Sequence, residues 1–279
     1  MTGWEERAAD ALAFLRRRVD GDYTIDDFGF DPDFSDHVIA PIERTLYDHW
    51  FDISTEGLGH VPSEGGALLV ANHSGTLPVD ALMTQVALHD HHPARRRLRL
   101  LAADLVYRIP VVAHLSRKAG NTLACPEDAD RLLRGGELVG VFPEGFEGVG
   151  KPFAERYRLQ RFGRGGFVTT AIRAGVPIVP CAIVGAEEIY PKIGDLRALA
   201  KLLGFPYFPI TPTFPWLGPL GVIPLPSKWI IGFAEPVRTD AIDPRDADDP
   251  QVVENVTEDV RRMIQAYVDD LREKRGPAF

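Results

Sequence analysis

The sequence predicts an α/β fold: a mixed, largely parallel sheet flanked by helices, preceded by an N-terminal helical extension. Three observations predict it. Short, apolar runs at 67–71, 138–142 and 176–184, with 98–103 apolar apart from Arg99, have the character of strands buried on both faces. Stretches of helical periodicity separate them, which is the alternation that builds a parallel sheet. A chain of 279 residues, 45% hydrophobic and 9% aromatic, is long enough and apolar enough for one large domain with an extension.

In chain order, residues 4–19 read as a helix, because Trp4, Ala8, Leu12, Leu15 and Val19 recur at helical spacing. Arg16, Arg17 and Arg18 close it, where positive charge suits the helix dipole. This is either a packed helix with a solvated end or an interfacial helix on anionic lipid. Residues 20–36 hold seven aspartates interleaved with Phe28, Phe30 and Phe34, an acidic connector pinned by its aromatics. A second helix is expected over 38–51 and a turn-rich lead-in over 57–66. Further helices are expected at 80–88, at 127–134 ending at Gly135-Gly136, and at 166–174 stopped by Gly175. The strand at 176–184 carries Pro177 and Pro180, a late strand covers 229–233, and the last helix covers 249–274. The expected division is an extension over 1–54, a main domain over 55–240, and a C-terminal helix within 241–279 packed on that domain. The stretch 202–226 contains seven prolines among Phe205, Tyr207, Phe208, Phe214 and Trp216. Proline fixes φ and lacks a donor, so this is neither helix nor central strand. It reads as a long apolar loop, either wrapped on the core or turned toward lipid or an acyl chain.

Composition removes several function classes. A net charge of −9 argues against nucleic acid as the main partner. Two cysteines supply neither a disulfide framework nor an all-cysteine zinc site. No apolar run approaches the roughly 20 residues needed to span a bilayer. No charged n-region with an apolar h-region opens the chain, so a cleaved signal peptide is not expected and the cytoplasm is the expected compartment.

The strongest candidate for chemistry is the run from Asn72 to Asp80, Asn-His-Ser-Gly-Thr-Leu-Pro-Val-Asp. It lies at the end of a strand, where ligands bind in open α/β sheets, and Pro78 suits the first turn of the next helix. A histidine with a carboxylate across such a turn makes a base and its orienter, as His73 and Asp80 would; the bland alternative is a satisfied structural histidine. The run Val141-Phe-Pro-Glu-Gly145 ends another strand, and Glu144 there can bind a ligand hydroxyl or amide or simply form a polar turn. Val176-Pro-Ile-Val-Pro180 has no titratable group and can only contribute an apolar wall. The run 145–151 fits the first seven positions of a phosphate-binding loop, but the eighth is Pro152, which has no hydroxyl for Mg²⁺. No Gly-x-Ser-x-Gly elbow is present, and Cys125 and Cys181 sit among apolar residues, so a hydrolase nucleophile is not expected.

These three motifs in this order resemble the lysophospholipid and glycerolipid acyltransferase superfamily over roughly residues 55–240. Tyr157-Arg-Leu-Gln160 with Gly163-Arg-Gly-Gly-Phe167 resembles the bacterial branch similar to mono- and diacylglycerol acyltransferases. The resemblance implies a glycerol-3-phosphate acyltransferase-like sheet. It also implies an acyl-CoA-dependent transfer of a fatty acyl group to a glycerolipid hydroxyl. A non-catalytic lipid-binding or lipid-transfer module on the same fold is the alternative. By resemblance His73 is the general base, Asp80 its partner, and Glu144 and Gly145 acceptor-site residues. Asn72, Ser74 and Gly75 are further substrate-binding residues, and the backbone N–H groups of the Ser74 to Thr76 turn can stabilise an oxyanion. The superfamily spacing is His-x4-Asp, whereas His73 and Asp80 are separated by six residues. Phosphatidate-making members place Thr-Arg after Glu-Gly; this chain has Phe146-Glu147 there. Lys151, Arg158, Arg161 and Arg164 (with Arg156) are expected to substitute for that arginine, or to hold the membrane or CoA phosphates. The resemblance implies no metal and no bound cofactor, with acyl-CoA or an acyl carrier protein thioester as co-substrate. The expected partners are a membrane lipid acceptor and the membrane surface, with the protein peripheral on the inner face of the plasma membrane.

Overall fold

The computed structural model describes residues 3–277. Its strands are β1 (Asp52–Glu56), β2 (Ala67–Ala71), β3 (Leu98–Ala102), β4 (Thr122–Leu123), β5 (Leu138–Val141), β6 (Ile178–Val184), β7 (Gly194–Asp195), β8 (Pro209–Ile210) and β9 (Lys228–Phe233). Seven of them form a central sheet in the order β1-β9-β6-β2-β5-β3-β4, and β7 pairs with β8 separately. β6, β2, β5, β3 and β4 run parallel, while β9 pairs antiparallel with β6 and β1 runs parallel to β9. The sheet is therefore mixed and largely parallel, as the apolar runs predict.

Two-residue alternation sorts each strand between two cores. Leu69 and Ala71 of β2 join Val179, Cys181 and Ile183 of β6 and the Val79–Val86 helix residues Met83 and Val86 on one face. Leu68 and Val70 join Ile178, Ala182 and Val184 on the other, against Leu132, Ile172, Val260 and Ile264 from helices Pro126–Arg134, Gly166–Ala174 and Pro250–Arg275. Both faces of the central strands are covered, which is why those strands read as continuous apolar runs.

Three regions differ from the expectations drawn from sequence. β1 is a strand where none is expected: four of the five residues of Asp-Ile-Ser-Thr-Glu are polar, which an edge strand pairing with β9 alone permits. The boundary between 54 and 55 falls inside this strand, so the extension feeds directly into the sheet. The segment 103–118, which has no expected element, forms helices Asp104–Arg108 and Pro110–Lys118. The N-terminal helix, Gly3–Asp20, is docked by its polar side. Arg17 pairs with Asp33 at 2.6 Å, Arg18 with Asp31 at 2.6 Å, and Phe14 stacks on His37. Its apolar stripe of Trp4, Leu12, Leu15 and Val19 faces outward, exposed. Two of the three arginines of the terminal cluster are thus tethers to the acidic connector.

Candidate active site

The parallel strands β2, β3, β5 and β6 all end at one edge of the sheet, and the segments 72–78, 103–118, 142–153 and 185–227 leave from that edge. β2 is central in the order, so the residues after Ala71 lie in the middle of that edge. Asn72 comes first. Its buried amide donates to the Ile183 carbonyl at 3.0 Å and accepts from the Ile183 N–H at 2.7 Å, which splices the end of β2 to β6. Both its polar groups are engaged there rather than offered to a substrate.

His73 and Asp80 meet despite the six-residue gap. Gly75 takes φ +78°, and the Val79 N–H closes a tight turn on the Leu77 carbonyl at 2.7 Å. The two additional residues are absorbed in this turn, and Asp80 returns in the first turn of the Val79–Val86 helix. Its Oδ2 lies 2.8 Å from His73 Nδ1 and 2.8 Å from the Ser74 nitrogen, and its Oδ1 accepts from the Ala81 N–H at 2.8 Å. Asp80 is fully buried. A carboxylate only accepts, so Nδ1 carries the proton and Nε2 keeps the lone pair. Nε2 has no hydrogen-bond partner among the described residues, and the ring is partly exposed. Phe142 packs against the imidazole with ring centroids 4.6 Å apart. Asp80 engages the Ser74 N–H, which leaves the Gly75 and Thr76 N–H groups as the uncommitted donors of the turn among the described residues.

Glu144 has a different place from the ligand-facing one expected of it. Its carboxylate is buried, with Oε1 accepting the His73 N–H at 2.8 Å and Oε2 accepting the Gln160 N–H at 2.5 Å. It positions the backbone of the histidine. Gly145 has φ +53° and open space at its missing Cβ, so it serves the chain reversal into the short helix Gly145–Val149. Gly148, which carries no expected role, is the glycine in contact: a Cβ there would stand 2.7 Å from Glu144 Cβ and 3.0 Å from His73 Cβ.

Lys151 is buried and already neutralised, 3.0 Å from Glu187 and 3.7 Å from Glu144. Burial pushes the Glu187 carboxyl up to about 7, against the pull of Lys151. Beside the turn is a small cleft lined by Gly75, Thr76, Gly148, Lys151, Glu187 and Lys192 among others. Lys192 is likewise engaged, at 2.6 Å from the Gly150 carbonyl and 3.2 Å from Asp195. Arg156, Arg158, Arg161 and Arg164 are exposed on the segment beside Gln160. No group of three or more metal-ligating side chains is assembled among the described residues.

The proline-rich stretch divides its behaviour between the two readings. Tyr207 donates to the Thr76 carbonyl at 2.6 Å, Tyr190 to Val222 at 2.6 Å, and Trp50 to Pro224 at 2.9 Å, so the stretch is fastened over the histidine-bearing edge. Helix Arg197–Leu203 and β8 give it more order than a plain loop. Its tip stays out: Trp216 is 70% exposed, Leu220 67% and Leu217 57%. Phe208 and Phe214 pack on one another at 5.4 Å. Val111 and Leu115 of the Pro110–Lys118 helix add exposed apolar surface at the same edge.

The profile of the family described as Acyltransferase matches residues 52–184. An uncharacterized protein of Mycobacterium tuberculosis is 55% identical over 257 residues, covering 92% of this chain and 72% of its own length. The human DGAT1/2-independent enzyme synthesizing storage lipids is 26% identical over 231 residues, 81% of this chain and 64% of that protein. In fold, the chain is similar to the crystal structure of the 1-acyl-sn-glycerophosphate (LPA) acyltransferase PlsC from Thermotoga maritima. The TM-score is 0.56 at 20% identity, over 85% of this chain and 81% of that one.

Proposed function

The chain belongs to the phospholipid/glycerolipid acyltransferase superfamily, and from that premise we propose that it transfers a fatty acyl group from an acyl-CoA thioester to the hydroxyl of a glyceride lacking a phosphate monoester. The observation that carries the reading is the 2.8 Å contact of His73 Nδ1 with Asp80, which leaves Nε2 as an unoccupied base at the centre of the ligand-binding edge. That pairing favours catalysis over a non-catalytic lipid-binding module.

In this mechanism Nε2 takes the hydroxyl proton as the lipid oxygen attacks the thioester carbonyl. Asp80 stabilises the imidazolium, and the N–H groups of Gly75 and Thr76, uncommitted among the described residues, are the donors available to an oxyanion. Collapse of the tetrahedral intermediate breaks the C–S bond, and the departing thiolate takes the proton back from Nε2. No covalent intermediate on the protein is needed, because the thioester is already activated. The acceptor class is argued from charge. Phe146 and Glu147 occupy the place of the phosphate-binding Thr-Arg, and the buried Lys151 and Lys192 beside the cleft are engaged by carboxylates and carbonyls. A phosphate monoester there would find an exposed carboxylate and no free buried cation.

Glyceride acceptors reside in a bilayer, and no helix among the described residues is long and apolar enough to cross one. The exposed Trp216, Leu217 and Leu220, on a stretch fastened over the His73 turn, support attachment from one side of the membrane. The test is purified protein with labelled palmitoyl-CoA and a panel of acceptors: monoacylglycerol, diacylglycerol, lysophosphatidate and a long-chain alcohol. Product from a neutral glyceride is expected, and His73→Ala should retain less than about a tenth of kcat. Product from lysophosphatidate alone overturns the acceptor assignment.

A further inference from the structure

Most arginines of this chain are tied to carboxylates, among them Arg44 to Asp90, Arg97 to Asp36, Arg99 to Asp26 and Arg275 to Glu188. Arg158, Arg161 and Arg164 depart from that pattern: none makes an ion pair or side-chain hydrogen bond among the described residues. Their spacing of three is structural. In the same segment Leu159 and Phe162 turn into the core, 8% and 1% exposed, while the three arginines turn out. Consecutive members are at most about 10 Å apart along the backbone. Arg156 extends the row, stacked on Phe153, and Glu155 is the only acid within 155–164. In a chain of net charge −9, a row of uncompensated guanidinium groups is a local reversal of sign.

The row also has an address. Gln160, at its middle, donates its N–H to the same Glu144 carboxylate that holds the His73 N–H, at 2.5 Å and 2.8 Å. The cations therefore flank the proposed base on one side, while the exposed apolar stretch around Trp216 is fastened to the His73 turn through Tyr207 and Thr76. One substrate of the proposed reaction is an apolar lipid. The other is a thioester on a carrier whose far end, in CoA, bears a diphosphate and a separate ribose phosphate. Guanidinium forks suit several phosphate groups spread along one ligand.

Resting on the acyl-transfer reading, we infer that Arg158, Arg161 and Arg164 form the docking site for the phosphates of CoA, holding the donor by its nucleotide end while its pantetheine arm reaches His73. The donor is the small phosphorylated carrier rather than an acyl carrier protein, which offers one phosphodiester.

The test compares wild type with the exposed triple variant Arg158→Gln/Arg161→Gln/Arg164→Gln, checked for folding by circular dichroism. Calorimetry with free CoA at low salt should show affinity falling by about 30-fold or more, since three charge-assisted contacts are removed. The ratio of kcat/KM for palmitoyl-CoA to that for the palmitoyl thioester of N-acetylcysteamine, which has no phosphate, should fall by a similar factor. CoA affinity within threefold of wild type overturns the proposal. So does a ratio that does not move, or a collapse confined to acyl carrier protein thioesters. If CoA binds through the arginines but wild type acylates no acceptor from either thioester, the acyl-transfer reading fails while the phosphate site stands.

Discussion

Asp80→Asn isolates charge from shape at the centre of the site. The aspartate is fully buried, and its two oxygens receive three short contacts: His73 Nδ1 and the Ser74 nitrogen on Oδ2, and the Ala81 nitrogen on Oδ1, each at 2.8 Å. Asparagine keeps one acceptor oxygen. If that oxygen faces Ala81, the new NH₂ group opposes both the Ser74 N–H and Nδ1–H. If it faces His73, the NH₂ group opposes the Ala81 N–H. Either way at least one charge-assisted bond becomes a donor–donor contact, which should cost about 1.5–3 kcal/mol of stability. The catalytic cost is separate. The charge that stabilises the imidazolium is absent, and the first orientation also favours the wrong tautomer, with Nε2 protonated. The expected loss in kcat is about 10²–10⁴-fold, equivalent to about 3–5 kcal/mol of barrier, with KM little changed. Initial rates with labelled palmitoyl-CoA, taken well below the unfolding midpoint of the variant, give kcat and KM, and thermal unfolding by circular dichroism gives the stability term. A folded variant with kcat within about threefold of wild type would refute the reasoning, because the pair would then be structural.

Glu144→Gln offers one acceptor oxygen to two backbone donors, His73 N–H and Gln160 N–H; kcat should fall at least tenfold with little change in acceptor KM, whereas a pure KM effect in steady-state assays would return Glu144 to a ligand-contacting role. Trp216→Ser with Leu217→Ser removes exposed apolar side chains. At about 25 cal/mol per Å², loss of roughly 200 Å² of lipid contact costs about 5 kcal/mol, and co-sedimentation with phosphatidylcholine vesicles should drop more than tenfold. Unchanged sedimentation would place the bilayer elsewhere. Burial raises the Glu43 carboxyl to about 7. A raised carboxyl means the folded state binds the extra proton, so this group's stabilisation is present below about 4.5 and lost as pH rises through about 7. Glu43→Gln should therefore flatten the fall in urea midpoint between pH 5 and pH 8, and an identical slope in the two proteins would contradict the assignment.

What the sequence determined by itself is local in origin. The wholly apolar runs of β2, β5 and β6 are strands because a strand covered on both faces has no polar side to show. Gly175 marks a helix end because a left-handed residue closes it, at φ +67°. Residue type at a strand end nominates His73 and Asp80. Whether they meet was a matter for tertiary structure, since only the turn at Gly75 brings an aspartate seven positions on back to Nδ1. The role of Glu144 rests on a hydrogen bond 71 residues away and that of Asn72 on one 111 residues away, separations that no local pattern reports. β1 exists because β9 lies alongside it; its mostly polar sequence is what an edge position permits. The N-terminal helix makes the same point most simply. Periodicity established that Trp4, Leu12, Leu15 and Val19 share a stripe, but the ion pairs of Arg17 and Arg18 with Asp33 and Asp31 decided that this stripe faces away from the core. A repeat of 3.6 residues states which side chains lie together on a helix, and it contains no information about which surface will cover them.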